Sequence, residues 1–169
     1  MSWIRWHWAE WPASILIALL VGTFVEYVVH RMMHRGTMFH KTHAKHHQVG
    51  EGQGWLGEFK DYFFPTIPVL WIGFPFSLAA GIGFAVGGIF YACLAAYAHQ
   101  LQHENPELCF WMRRPVHHLH HEHKMWHHNF GISFSLWDHV FGTYKKVEWE
   151  PEKRARDYPL SSFFKIKWF

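Results

Sequence analysis

Cysteine is scarce in this chain of 169 residues: only Cys93 and Cys109 occur. The first lies in an apolar stretch and the second after a polar turn, which excludes a disulfide framework and an iron–sulfur site. No His-Glu-x-x-His sequence is present, which counts against a zinc protease. Charge is missing altogether from Phe63 to Ala98, a run of 36 residues. Basic residues are nearly missing from one end: of 16 Lys and Arg, Arg5 alone precedes the first apolar run. The net charge of +3 is too small and too dispersed to argue for a nucleic-acid partner. Attraction to anionic lipid is the simpler account of the basic residues. Repeats of fold scale and low-complexity linkers are absent, and the one flexible stretch is Gly50 to Gly57.

Apolar residues are abundant: half of the chain is hydrophobic and 20% is aromatic. Pro12 to Val29 is apolar except for Glu26 and a few small polar residues. Eighteen helical residues span about 27 Å, close to a bilayer's hydrocarbon thickness. The expected architecture is therefore all-α and integral to a membrane, one domain over 1–169. About three transmembrane helices are expected, at 12–29, 63–80 and 81–98, with a turn near Ala80-Gly81. Pro65, Pro68 and Pro75 make the second of them the least regular, and a re-entrant hairpin is the alternative. Segments 30–61 and 99–169 then form a helical cap on one side, holding every basic residue but Arg5 and every histidine but His7. The positive-inside rule makes that side cytoplasmic, in a bacterial inner membrane or alternatively the endoplasmic reticulum. Trp3, Trp6, Trp8 and Trp11 read as an anchor at the opposite interface.

The most specific feature is histidine. Of 17 in the chain, ten fall into four boxes: His30 and His34; His43, His46 and His47; His99 and His103; His117, His120 and His121. Positions i and i+4 share a helix face, with i+3 beside them. A structural zinc takes four ligands and a catalytic zinc usually three, so ten nitrogens imply two metals with about five each. Imidazole suits zinc, copper, iron and nickel, whereas magnesium and calcium want oxygen. A dinuclear iron site is the favoured reading, with zinc as a substitute in purified material. Membrane metal transport or metal buffering is the rival. It needs polar groups along the membrane path, and Phe63 to Ala98 supplies almost none.

Other residues join these boxes by spacing. Glu26 stands four residues before His30 on the same helix face, placed to accept the second N–H of a liganding imidazole; snorkelling or pairing with Arg31 is the alternative. Asp138 is a further candidate acceptor, while Trp137 and Phe141 fit packing or anchoring. His40, His118, His123, His127 and His128 fall outside the boxes as surface or supporting residues.

Taken together, these stretches resemble the fatty acid hydroxylase/sterol desaturase superfamily of membrane di-iron enzymes. The matching segments are Glu26-Tyr-x-x-His-Arg-x-x-His34, His43-x-x-His-His47, His99-x-x-x-His103, His117-x-x-His-His121, and Asn129-Phe-Gly followed by Trp137-Asp-x-x-Phe-Gly-Thr-Tyr144. The C-terminal boxes look closest to fatty acid 2-hydroxylases. The spacing of the first box matches the sterol branch, and no fused cytochrome b5 domain is present. The resemblance implies two iron ions held by the ten histidines, O2 as co-substrate, and hydroxylation of a fatty acid or membrane-lipid acyl chain. Desaturation, or oxidation of a sterol or carotenoid, is the alternative. It also implies a one-electron donor such as a ferredoxin or cytochrome b5-like protein, and adds Asn129 to Glu26 and Asp138 as supporting residues. No catalytic side chain beyond the metal centre is expected.

Overall fold

A computed structural model describes residues 9–169. It contains helices α1 (Glu10–His34), α2 (His40–Val49), α3 (Trp55–Thr66), α4 (Leu78–Glu104), α5 (Val116–Glu122) and α6 (Leu136–Val140). Short 3₁₀ turns lie at Val69–Trp71, Pro106–Leu108, Ala155–Asp157 and Leu160–Phe164, and no strand occurs among the described residues. Trp3, Trp6, Trp8 and His7 lie outside the described residues.

The two long helices, α1 and α4, lie against each other through small residues. Ser14 and Ala18 of α1 meet Gly83 and Gly87 of α4 one turn apart; a Cβ on Gly87 would stand 2.8 Å from both the Ala18 Cβ and the Ile15 carbonyl. Such close backbone approach is how helices associate where lipid, not water, surrounds them. Their other faces stay apolar and exposed, at Leu16, Ile17 and Leu20 on α1 and at Val86, Ile89 and Phe90 on α4. Both helices, 25 and 27 residues, are long and apolar enough to cross a membrane. They start at one end, where Ser77 Oγ donates to Glu10 (2.5 Å), and finish together at His34 and His103.

The expected helix over 63–80 is not continuous, and no turn occurs at Ala80-Gly81. α3 stops at Thr66, a 3₁₀ turn follows, and α4 already begins at Leu78, where Ser77 Oγ caps the Ala80 N–H at 3.0 Å. Pro65, Pro68 and Pro75 explain the break, since each lacks the N–H that a helix interior needs. The segment nevertheless travels back along α4 in the opposite direction. Gly54 N donates to Gln100 Oε1 (2.9 Å), Trp55 Nε1 to the Cys93 carbonyl (3.3 Å), Leu70 abuts Gly88, and Gly73 lies beside the Ala80 carbonyl.

A second apolar cluster, Leu101, Leu108, Cys109 and Ile166, pins the C-terminal segment to the end of α4. The Lys167 and Trp168 carbonyls accept the Trp55 and Leu56 N–H groups (2.8 and 3.0 Å), so this segment caps α3 from outside. Cys93 and Cys109 are both free.

Candidate metal centre

The last turns of α1 and α4, the whole of α2 and α5, and the chain after α5 enclose the histidines. One group draws His30 and His34 from α1, His43 and His47 from α2, and His120 from α5. The other draws His46 from α2, His99 and His103 from α4, and His117 from α5. Within each group the candidate ligand atoms lie within 4.8 Å of one another. α2 and α5 therefore serve both groups: i and i+4 stand nearly in line on the helix and i+3 stands beside them, so one box straddles the gap between two sites. His121 belongs to neither set of converging atoms. Its ring stacks on His47 at 4.0 Å and lies 4.6–4.7 Å from His46, His103 and His117.

The outer nitrogens show which tautomers are present. His30 Nδ1 donates to the Phe130 carbonyl and His120 Nδ1 to the His128 carbonyl, both at 2.7 Å. His103 Nδ1 reaches the Gly50 carbonyl (3.1 Å), and His99 Nδ1 meets Glu58 Oε2 at 2.5 Å. An imidazole that donates through Nδ1 carries its lone pair on Nε2. In the first group, His34 Nε2 faces the Nε2 atoms of His30 (3.3 Å), His43 (2.8 Å), His47 (3.2 Å) and His120 (2.9 Å). Hydrogen bonds cannot satisfy five converging nitrogens when at least two are bare acceptors. A cation at their centre does. The buried Nδ1 atoms of His34 and His117 and both nitrogens of His121 also have no hydrogen-bond partner. The donor set thus fits transition metals that accept imidazole.

A family model for fatty acid hydroxylases matches residues 15–143. The chain belongs to the fatty acid hydroxylase family. That family lies within the fatty acid hydroxylase/sterol desaturase superfamily, so the protein is an oxidoreductase of hydroxylase type. No curated protein and no solved structure matches the chain.

Protonation of this fatty acid hydroxylase centre follows from its burial. Loss of water pushes His43 down to about 2, His120 to about 3, and His46 and His47 to about 4, with neighbouring imidazoles adding to the effect. His117 and His121 move the same way for the same reasons. These rings are neutral at physiological pH, which is the form that binds metal.

Glu26 has a different task from the expected one. It is buried and accepts four hydrogen bonds, from Ile132 N (2.8 Å), Ser133 N (3.0 Å), Ser133 Oγ (2.7 Å) and Tyr91 Oη (2.7 Å), and none from His30. It ties the 130–133 loop to α1 and α4. Asp138 does not touch an imidazole either. It receives the Phe130 and Gly131 N–H groups (2.8 and 2.7 Å) and the Thr143 hydroxyl (2.7 Å), and so holds the peptide whose carbonyl orients His30. Burial raises the Asp138 carboxyl, opposed by these three bonds. Asn129 takes a left-handed conformation (φ 59°) and pairs with both backbone atoms of Lys145. That turn aims the His128 and Phe130 carbonyls at His120 and His30.

Glu58 was not anticipated. It is buried at 2% exposure between His99 and the Gln53 N–H (3.0 Å). Burial would raise its carboxyl, but His99 and these hydrogen bonds outweigh that and hold it at about 2. No local signal singled it out, since Lys60 and Asp61 follow it on α3 and it reads as an ordinary polar residue of that helix. Of the remaining histidines, His118 and His123 pair with Glu122 and His139 stacks on Tyr144, while His40 and His127 are exposed. Trp137 and Phe141 pack on Phe24, and Trp137 Nε1 donates to Thr23 (2.9 Å).

Proposed function

We propose that this protein is an O2-dependent di-iron hydroxylase of the acyl chain of a fatty acid or membrane lipid. The observation that carries this reading is the sharing of α2 and α5 between two nitrogen groups, which would set two metals side by side. His30, His34, His43, His47 and His120 would hold one ion. His46, His99, His103 and His117 would hold the other, with His121, whose nitrogens have no other partner, as the fifth expected ligand. The iron pair, when bound, supplies O2 reduction and C–H oxidation: RH + O2 + two electrons + two protons gives ROH and water. Electrons come singly from a ferredoxin or cytochrome b5-like donor. Glu58, Asp138 and the Gly50, His128 and Phe130 carbonyls fix the imidazoles, so that ligand geometry does not relax during turnover. α1, α4 and the broken return segment span the membrane, with the centre on the cytoplasmic side, as the basic residues favour. The acyl chain enters from the bilayer among aromatics that include Phe63, Phe64 and Phe134, and the cap excludes water.

Expression with a one-electron donor, followed by lipid mass spectrometry under isotopically heavy O2, tests this. Labelled hydroxyl groups on acyl chains are expected, and they disappear in His46→Ala, His103→Ala and His120→Ala. Unlabelled products lacking two hydrogens would mean desaturation, and products on sterols or carotenoids would change the substrate class. If no lipid changes but cellular metal tolerance falls in the variants, metal handling replaces the hydroxylase reading.

A further inference from the structure

We propose that the groove between α1 and Phe141, at the cytoplasmic end of the span, is a binding site for an anionic glycerophospholipid of the surrounding bilayer. The groove has a volume of about 210 Å³ and is lined by Phe24, Tyr27, Val28, Arg31, Arg35 and Phe141, among others. Phe24, Val28, Arg31 and Arg35 fall on one face of α1 at helical spacing, and they divide by depth. Phe24 and Val28 belong to the apolar part of the helix, whereas Arg31 and Arg35 are its last charged residues, at and beyond the end of the span. Phe141 stacks on Tyr27 at 5.4 Å and closes the other wall. Leu136 and Val140 of α6 stay exposed beside it, 47% and 59%, so this rim itself faces lipid.

An acyl chain fits the apolar lower wall, and a negative headgroup fits the two guanidinium groups above it. Among the described residues, the ion pairs involve His99, Arg114, His118, His123, Lys146 and Arg156, leaving Arg31 and Arg35 without a carboxylate. One N–H of Arg31 donates to Tyr27 Oη (3.0 Å), which aims the fork while leaving its other donors available. Guanidinium forks bind phosphate through two parallel bonds, and basic pockets at the cytoplasmic end of membrane helices suit phosphorylated headgroups. Free phosphate would leave the apolar wall uncovered, so a lipid is the better occupant. The groove also connects to the metal centre. Tyr27 Oη bonds Thr143 Oγ1 (3.0 Å), Thr143 donates to Asp138, and Asp138 holds the Phe130 peptide that orients His30.

Native mass spectrometry of the detergent-purified full chain, titrated with phosphatidylglycerol or phosphatidylcholine, reads this site without any activity measurement. The wild type is expected to retain one phosphatidylglycerol in preference to phosphatidylcholine, undisturbed by inorganic phosphate. Arg31→Gln combined with Arg35→Gln is expected to weaken phosphatidylglycerol about 30-fold, from roughly 1 kcal/mol per basic residue at 1.4 kcal/mol per tenfold. Val28→Trp fills the groove while keeping both charges, and is expected to displace the lipid as well. It also carries the test if the double variant fails to fold, which circular dichroism reports. Unchanged retention in Val28→Trp would mean diffuse charge attraction and would overturn the proposal. So would unchanged retention in a folded double variant, or equal binding of the two lipids by the wild type.

Discussion

Glu58→Gln separates the two halves of the metal centre. The substitution keeps size and shape but exchanges one carboxylate oxygen for an NH2 group. In the native arrangement one oxygen receives the Gln53 N–H at 3.0 Å and the other meets His99 Nδ1 at 2.5 Å. Whichever way the amide turns, a donor then faces a donor in a buried site, and His99 loses its anionic partner. Loss of such a partner typically costs about 10–100-fold in metal affinity, or roughly 1.4–2.7 kcal/mol at about 1.36 kcal/mol per decade. The loss is expected only at the ion that His46, His99, His103 and His117 would hold. The other group is braced by the Phe130 and His128 carbonyls, which Glu58 does not touch. Metal content per chain, measured after dialysis against a graded chelator series, reads the difference. The variant is expected to drop from two ions to one at chelator concentrations where the wild type keeps both, with circular dichroism unchanged. Simultaneous release of both ions, or a curve that overlays the wild type, would refute the assignment of Glu58 to one site.

Gly87→Val places side-chain atoms against the Ala18 Cβ and the Ile15 carbonyl, and is expected to lower thermal stability in detergent by about 1–3 kcal/mol. The chelator-treated protein is expected to be acid-labile. His43, His46, His47 and His120 are depressed by burial to about 2–4, so the unfolded chain binds protons first as pH falls below about 6.5. Their stabilising contribution is full above that pH and declines toward the folded values. A melting temperature that does not fall between neutral pH and about pH 4.5 would contradict this. Asn129→Ala removes both bonds to Lys145 and leaves a left-handed φ of 59° without an amide to support it. About 2–4 kcal/mol of destabilisation is expected, together with weaker metal retention at His30 and His120. If the return segment crosses the membrane as proposed, accessibility tags in the 50–57 loop and at the C-terminus report cytoplasm and one at Met1 the opposite side; both termini on one side would remove a pass.

The sequence alone was enough for the helical character, the two long apolar helices and the pairing of box histidines on shared helix faces, because each depends on short-range spacing. A helix turns 100° per residue wherever it sits, so His30 and His34, or His99 and His103, share a face before any packing is known. Proline supplies its own punctuation, and the irregularity of the second apolar stretch was legible in Pro65, Pro68 and Pro75. The sharing of α2 and α5 between two groups was decided by the tertiary structure, since the angle between i+3 and i+4 is fixed locally but what stands on each side of the helix is not. Long-range partners were likewise out of reach. Glu26 spacing pointed to His30, four residues away, but its oxygens found Ile132 and Ser133, more than 100 positions on. His30 instead took the Phe130 carbonyl, which Asp138 and the left-handed turn at Asn129 hold in place. Glu58 meets His99 only because the return segment lies antiparallel to α4 and its helix starts level with Gln100. Helical periodicity is a local property of the chain; which buried donor meets which acceptor depends on how distant segments pack.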